Sequence, residues 1–334
     1  MLEDGSDQDV VLVTQLPSDS WFEAFALRPN GKILACRLDE PELYTFNPED
    51  SDSTPQLLHT FDQNANGLVD ADPIPGTEDE YFVLSTVGDL VNVEFTDFII
   101  WRVALSPDDS NPPKVTKVAE IPNSGLCAAA VAISDRVVII PDSTKNCIWH
   151  LDTLTGQSSL LIADDTMKIA NGEGNFFGLN RICITDEFIW FTNTSAGLLC
   201  RIPIERVQDD PSVGIRIRGP VQILTDEITD CDGLVLTQDE NAAYTCSYKD
   251  GFIWKVSIEP STGKATTSVV LRNLASPTAV ELNYTNGRSK LFIVCCGEIQ
   301  TGWIQDRENP WSDIVNINAA VTVQVETREE VETV

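Results

Sequence analysis

Short apolar stretches alternate with polar turns along most of the chain, and they come in sets. One member of each set ends in an aromatic-plus-basic signature: FIIWRVAL around Trp101, NCIWHLDT around Trp149, LLCRIPIE around Cys200 and FIWKVSIE around Trp254. Their spacing of roughly 50 residues is the repeat of four-stranded propeller blades. Six stretches read as inner strands: FEAFALRP, GLVDADPIP, AAAVAISD, LNRICITD, DGLVLTQD and PTAVELNY. Fourth strands are PQLLHTFD, KVTKVAEIP, QSSLLIADD, VQILTDEI and TTSVVLRNL, while DVVLVTQLP from Asp9 precedes the first inner strand and has no blade of its own. No long window keeps a 3.6-residue period. The pattern therefore predicts an all-β chain: one six-bladed β-propeller domain over residues 1–334, with four-stranded blades and a ring closed by the N-terminal strand. A β-sandwich would produce neither the repeat nor the spare strand.

Charge narrows the partners. With 52 acidic against 22 basic residues among 334, the formal charge is -30, which repels nucleic acid and anionic lipid. No apolar window reaches the roughly 18 residues of a membrane helix. The opening MLEDGSDQDV has neither a basic nor an apolar leader region. Two glycosylation sequons, Asn193-Thr194-Ser195 and Asn283-Tyr284-Thr285, raise the expectation of a glycoprotein of the secretory pathway whose signal peptide is gone. Nine cysteines include no C-x-x-C pair; Cys231 and Cys246 would lie roughly opposite in a hairpin turning near Asp239 and are candidates for a disulfide.

The usual catalytic equipment is sparse. The two histidines, His59 and His150, fall within expected strands and read as structural. There is no G-x-S-x-G, H-E-x-x-H or G-x-G-x-x-G. The run Asp62 to Gly67 copies the opening of an EF-hand loop, but its twelfth position is Pro73, so it reads as a turn. Polar residues at the start of inner strands are more telling, because those starts share one face of a propeller. Glu23, Asn180 and Asp232 stand there and supply three hard oxygen donors suited to calcium or magnesium; taken singly, each could merely begin a strand or cap a turn.

At these positions the chain resembles the SMP-30/gluconolactonase/LRE-like six-bladed propellers, in which a Glu, an Asn and an Asp hold a divalent metal. Asn180 is followed by Arg181 where that family usually has Gly, and Leu126-Cys127-Ala128-Ala129 lacks an Asn that helps lactonases bind substrate. WFEAFALRPNGKILAC, PELYTFNP, LDTLTGQ and DEFIWFTNTSAGLLCRIPIE resemble a fungal secondary-metabolism branch of this superfamily. That branch includes hetero-Diels-Alderases joining a tropolone-type o-quinone methide to a humulene-type sesquiterpene. The resemblance implies hydrophobic small-molecule partners and no required cofactor, with calcium or magnesium as the alternative.

A pericyclic reaction needs orientation more than acid-base groups, and well-oriented reactants can gain roughly 7–11 kcal/mol from it. Candidate substrate-binding residues are Trp21, Phe22, Phe176, Phe177, Tyr248, Trp303 and Trp311, with Asn180, Lys249 and Thr86 as catalytic hydrogen-bond donors. The competing roles are core filling for the aromatics and a solvated loop charge for Lys249. Three functions remain open: a cofactor-independent cycloaddition catalyst, a metal-dependent lactonase-type hydrolase using Glu23, Asn180 and Asp232, and a non-catalytic binding propeller.

Overall fold

The structure, a computed structural model, describes residues 11–16, 20–50, 54–61, 65–90, 92–172, 174–285, 288–297 and 321–327. The chain is an all-β propeller built on six antiparallel sheets. From the inside outward, the first holds Phe22–Leu27, Ile33–Arg37, Glu42–Phe46 and Gln56–Thr60. The second holds Gly67–Pro73, Glu80–Asp89, Glu94–Ala104 and Lys114–Glu120, and the third Val131–Ala132, Val137–Asp142, Cys147–Asp152 and Gln157–Ala163. The fourth begins with Leu179–Ile184, Phe188–Asn193 and Leu198–Arg206. The fifth holds Cys231–Leu236, Ala242–Ser247, Phe252–Ile258 and Ala265–Leu271. In the sixth, Pro277–Thr285, Arg288–Cys295 and Val321–Thr327 are joined by Val11–Gln15 on the outer edge. Among the described residues there is no α-helix; Asp165–Met167 forms a single 3-10 turn.

Each sheet is covered on both faces, so second strands such as VVIIPD and AAYTCS are buried throughout, whereas outer strands such as QSSLLIA keep exposed positions. An apolar cluster fills each gap between neighbouring sheets. Phe82 and Ile140 join the second and third, Ile139 and Phe191 the third and fourth, and Trp190 and Val256 the fourth and fifth. Cys246 and Ile293 join the fifth and sixth, Phe292 and Phe25 the sixth and first, and Leu43 and Tyr81 the first and second. Inner strands contact one another in the same cyclic order.

Several expectations need correction. The fourth sheet carries two short outer strands, Ile215–Ile217 and Gln222–Thr225, both paired with Leu198–Arg206. Gly219 and Pro220 interrupt what would otherwise be one strand, since Pro offers no amide to the ladder. The third inner strand shrinks to two residues because the Asp70 and Asp72 carboxylates accept from the amides of Ala130 and Ala132, at 2.9 and 2.8 Å. Cys231 and Cys246 are both free: Cys231 pairs with Ser247, so Cys246 is one residue out of register and faces the opposite side of the sheet. Asn193 is not an accessible glycan acceptor, because it is buried and its amide donates to the Thr166 and Lys168 carbonyls at 2.7 and 2.8 Å. Of the EF-hand-like run, Asp62 to Asn64 lie outside the described residues.

The edge strand gives a direct test. Val13 and Leu16 are buried against Phe22, Phe46 and Phe292. Deleting residues 1–16 removes that apolar contact and bares the backbone of Val321–Thr327. Loss of monomer with growth of large species in size-exclusion chromatography and light scattering is the expected outcome; a monodisperse, fully stable deletion would refute it.

Candidate functional site

The inner strands do not run straight into the channel. At the start of five of them the ladder slips: between Phe22 and Ala24, Leu68 and Asp70, Leu179 and Ile182, Cys231 and Leu234, and Pro277 and Ala279. Such bulges re-aim the side chains they contain. Glu23, Asn180, Asp232 and Thr278 are bulge residues, and all four line one pocket of about 550 Å³, including its open mouth. Gly233 permits the crowding beside Asp232, since a Cβ there would lie 2.6 Å from the Ala279 Cα.

Trp21, Phe176, Phe177 and Tyr248 form walls, together with Leu38 and Cys296. Residues Leu90, Val93 and Phe95, from the hairpin joining Glu80–Asp89 to Glu94–Ala104, complete them. The lining is thus mostly apolar, with its polar groups clustered where inner strands begin. Indole Nε1 of Trp21 donates to Glu23 Oε2 at 2.6 Å. The Asn180 amide donates to Thr194 Oγ1 at 2.9 Å, and that hydroxyl in turn donates to the Cys231 carbonyl at 2.7 Å. Asp232, 7% exposed, has an Oδ1 with no hydrogen-bond partner among the described residues.

Burial pushes the Asp232 carboxyl well above the usual range, and the nearby Glu23 charge adds to this; Arg181 and the Asn180 amide oppose it. Glu23 is raised as well, by burial first, against the opposing pull of Arg181 and the Trp21 hydrogen bond. Two acids thus share an environment that favours retaining a proton. Burial also raises the Tyr248 hydroxyl and the Cys296 thiol, so neither is disposed to ionise.

Arg181 follows Asn180 but lines a different space, the wide opposite end of the channel, about 1750 Å³ with its open mouth. Its guanidinium donates to Asp70 at 2.8 Å in a buried ion pair. Glu281 faces the same space, and burial raises its pKa to about 8. The sequence signal for this polar floor is a set of charges inside apolar runs: Asp70 and Asp72 in GLVDADPIP, Arg181 in LNRICITD and Glu281 in PTAVELNY.

The structure joins Trp21, Glu23, Phe176, Phe177, Asn180, Asp232 and Tyr248 in one pocket. Others fall elsewhere. Phe22 is fully buried in the gap between sheets, its ring 6.4 Å from Tyr44 and 6.1 Å from Phe46, because alternation turns it away from the side Glu23 faces. Thr86 is buried in the second sheet and spends its hydroxyl on the Thr96 carbonyl at 2.8 Å. Lys249 is held outside by Asp230 at 2.8 Å and lies 5.4 Å over the Tyr248 ring. Trp303 and Trp311 lie outside the described residues. His59 packs edge-on against Phe61, and His150 Nε2 meets the Val213 carbonyl at 3.2 Å, both away from the pocket. The sequence reading missed Leu38, Leu90, Val93, Phe95, Thr278 and Cys296; the long hairpin has no motif to announce it.

A hard cation would find three oxygen donors here, and the unpartnered Asp232 Oδ1 fits that use. Only two of the three residues are acids, and the described residues contain no group of three His, Cys, Asp or Glu side chains placed to hold a metal.

No protein-family model matches the sequence, and no curated protein matches it. Solved structures do match. A luciferin-regenerating enzyme aligns with a TM-score of 0.62 at 10% identity, covering 97% of this chain and 96% of that one. The chain shares the propeller fold of these proteins. Regucalcin from Agrobacterium tumefaciens, described as calcium-binding, aligns at 0.57 and 13% identity, over 95% and 94% of the two chains. The PQQ-bound aldose sugar dehydrogenase from Streptomyces coelicolor aligns at 0.57 and 11% identity, over 96% and 98%. At such identities the likeness is one of fold, and function has to be argued from the pocket. Among the described residues no helix is long and apolar enough to cross a membrane.

Proposed function

We propose that this chain is a six-bladed propeller enzyme of secondary metabolism that binds hydrophobic small molecules in the Trp21–Tyr248 pocket and accelerates a hetero-Diels-Alder cycloaddition. The observation that carries the reading is the division of the pocket: aromatic and aliphatic walls on most sides, and Glu23, Asn180 and Asp232 together where the inner strands begin. The substrate classes, a tropolone-type o-quinone methide and a humulene-type sesquiterpene, come from the sequence resemblance alone. Apolar walls would hold the alkene against the heterodiene and remove relative motion, which can lower the barrier by roughly 7–11 kcal/mol. A carboxyl of the Glu23–Asp232 pair that keeps its proton would donate to the heterodiene carbonyl and draw electron density from it. No proton needs to leave the protein for the two new bonds to form.

Purified protein is incubated with a quinone methide precursor and a humulene-type alkene, and product stereoisomers are compared with a reaction lacking protein. A faster reaction with one isomer enriched is expected. Unchanged rate and isomer ratio would remove the catalytic reading.

The unpartnered Asp232 Oδ1 beside Asn180 and Glu23 favours one second reading, a metal-dependent lactonase-type hydrolase. A bound divalent ion would act there as a Lewis acid. Lactone hydrolysis that EDTA abolishes and calcium or magnesium restores would select it over the first.

A further inference from the structure

The hairpin of the second sheet is the longest in the described chain, with strands of 10 and 11 residues, and Phe95 near its tip touches two spaces at once. On one side the ring lines the central pocket beside Leu38 and Phe177. On the other it lines a separate side groove of about 1120 Å³ with its open mouth, bounded by Val87, Ile99, Pro122 and Ser124. Among the described residues, Phe95 is the one common to both linings. It is a partition.

Its position is built in. Phe95 pairs with Gly88 across the hairpin, and a Cβ at Gly88 would come 2.8 Å from Cδ1 and Cε1 of the Phe95 ring, so one ring edge sits against a bare backbone. Gly88 is itself fastened to the body of the propeller by Asn66, whose amide donates to the Gly88 carbonyl at 2.8 Å while its oxygen accepts from the Gly88 amide at 2.6 Å. Thr86 Oγ1, donating to the Thr96 carbonyl, adds a side-chain tie across the hairpin at the register slip beside the Val87–Thr96 pair.

We propose that Phe95, held by Gly88 and Asn66, sets the length of the apolar substrate that the central pocket admits, by closing it off from the side groove. This rests on the reading of the pocket as a hydrophobic-substrate site. With Phe95 in place the pocket takes a compact apolar body whose polar end meets Glu23, Asn180 and Asp232. With the ring removed, pocket and groove join, and a longer chain can lie along the second sheet toward Ser124. Pushing the ring inward has the opposite effect.

The test uses the full chain and three unreactive probes of increasing length, geraniol, farnesol and geranylgeraniol, with binding followed by calorimetry. Phe95→Ala is expected to move the preference toward the longer alcohols by about tenfold, the gain that one or two further buried methylenes supply. Gly88→Val should move it toward the shorter. Asn66→Ala, which leaves the Phe95–Gly88 contact intact but unfastens it, should flatten the ranking and serves if Gly88→Val does not fold. An unchanged ranking in folded Phe95→Ala, with the wild-type protein binding the probes, overturns the partition and leaves the hydrophobic-site reading standing. If the wild-type protein binds none of the three, both fall.

Discussion

Arg28→Met is expected to lower stability by about 3–5 kcal/mol, the cost typical of breaking a buried ion pair from one side. The guanidinium is fully buried and donates to Asp79 Oδ2 at 2.7 Å, Asp109 Oδ1 at 2.7 Å, Thr45 Oγ1 at 3.0 Å and the Ser106 carbonyl at 3.1 Å. Asp79 also accepts from the Tyr81 hydroxyl at 2.8 Å. Arg28 follows the inner strand of the first sheet, whereas Asp79 and Asp109 flank strands of the second, so this network fastens two neighbouring sheets where they meet. Removing the cation leaves two buried carboxylates for which, among the described residues, Lys32 at 2.6 Å from Asp109 is the remaining cationic partner. Urea denaturation should show a lower midpoint with an unchanged slope. Adding Asp79→Asn should recover part of the loss, because one stranded charge disappears. A loss below about 1 kcal/mol would place the pair among those that add little beyond their own desolvation.

Asp232→Ala should cut the rate of the proposed reaction by roughly 10²–10³-fold, the usual cost of removing a positioned donor from a buried site. Asp232→Asn separates two roles. It keeps a hydrogen-bond donor but cannot titrate, so most of the rate should survive while the pH profile flattens. In the native protein the raised pKa means that the protonated, donating form is present at low pH and lost as pH rises through the folded value. The same sign governs stability. A carboxyl whose folded pKa exceeds its unfolded one contributes a stability that is present at low pH and declines as pH climbs between the two. Asp232→Asn should therefore be more stable than the native chain above neutral pH while being no better a catalyst. A substitution at a purely structural position would lower stability and activity together, and that outcome would remove Asp232 from the site. Under the hydrolase reading, Asp232→Asn would instead lose metal affinity, which titration with calcium detects.

Much of this was written locally. Strands of period two, polar turns and the aromatic-plus-basic signatures are set by side chains a few residues apart, so the inner strands and the role of DVVLVTQLP as a sheet's outer strand are legible without any tertiary information. Glu23, Asn180 and Asp232 were legible for a related reason: a polar side chain at the head of an apolar strand has few places to go except the channel. What the sequence could not set was register. A slip of one residue exchanges the two faces of a strand. It sends Phe22 into the gap between sheets while Glu23 reaches the pocket, and it places Cys231 opposite Ser247 instead of Cys246. Those slips are bulges fixed by neighbouring strands. Likewise Asp70 and Asp72 shorten the third inner strand from 60 residues away in the chain, and Phe95 becomes a pocket wall only because Asn66 and Gly88 hold its hairpin over the mouth. The sequence determined most of the strand segments and which polar groups head the inner strands. Long-range pairing alone decided which side chains face the channel, because that depends on contacts between segments with no proximity in sequence.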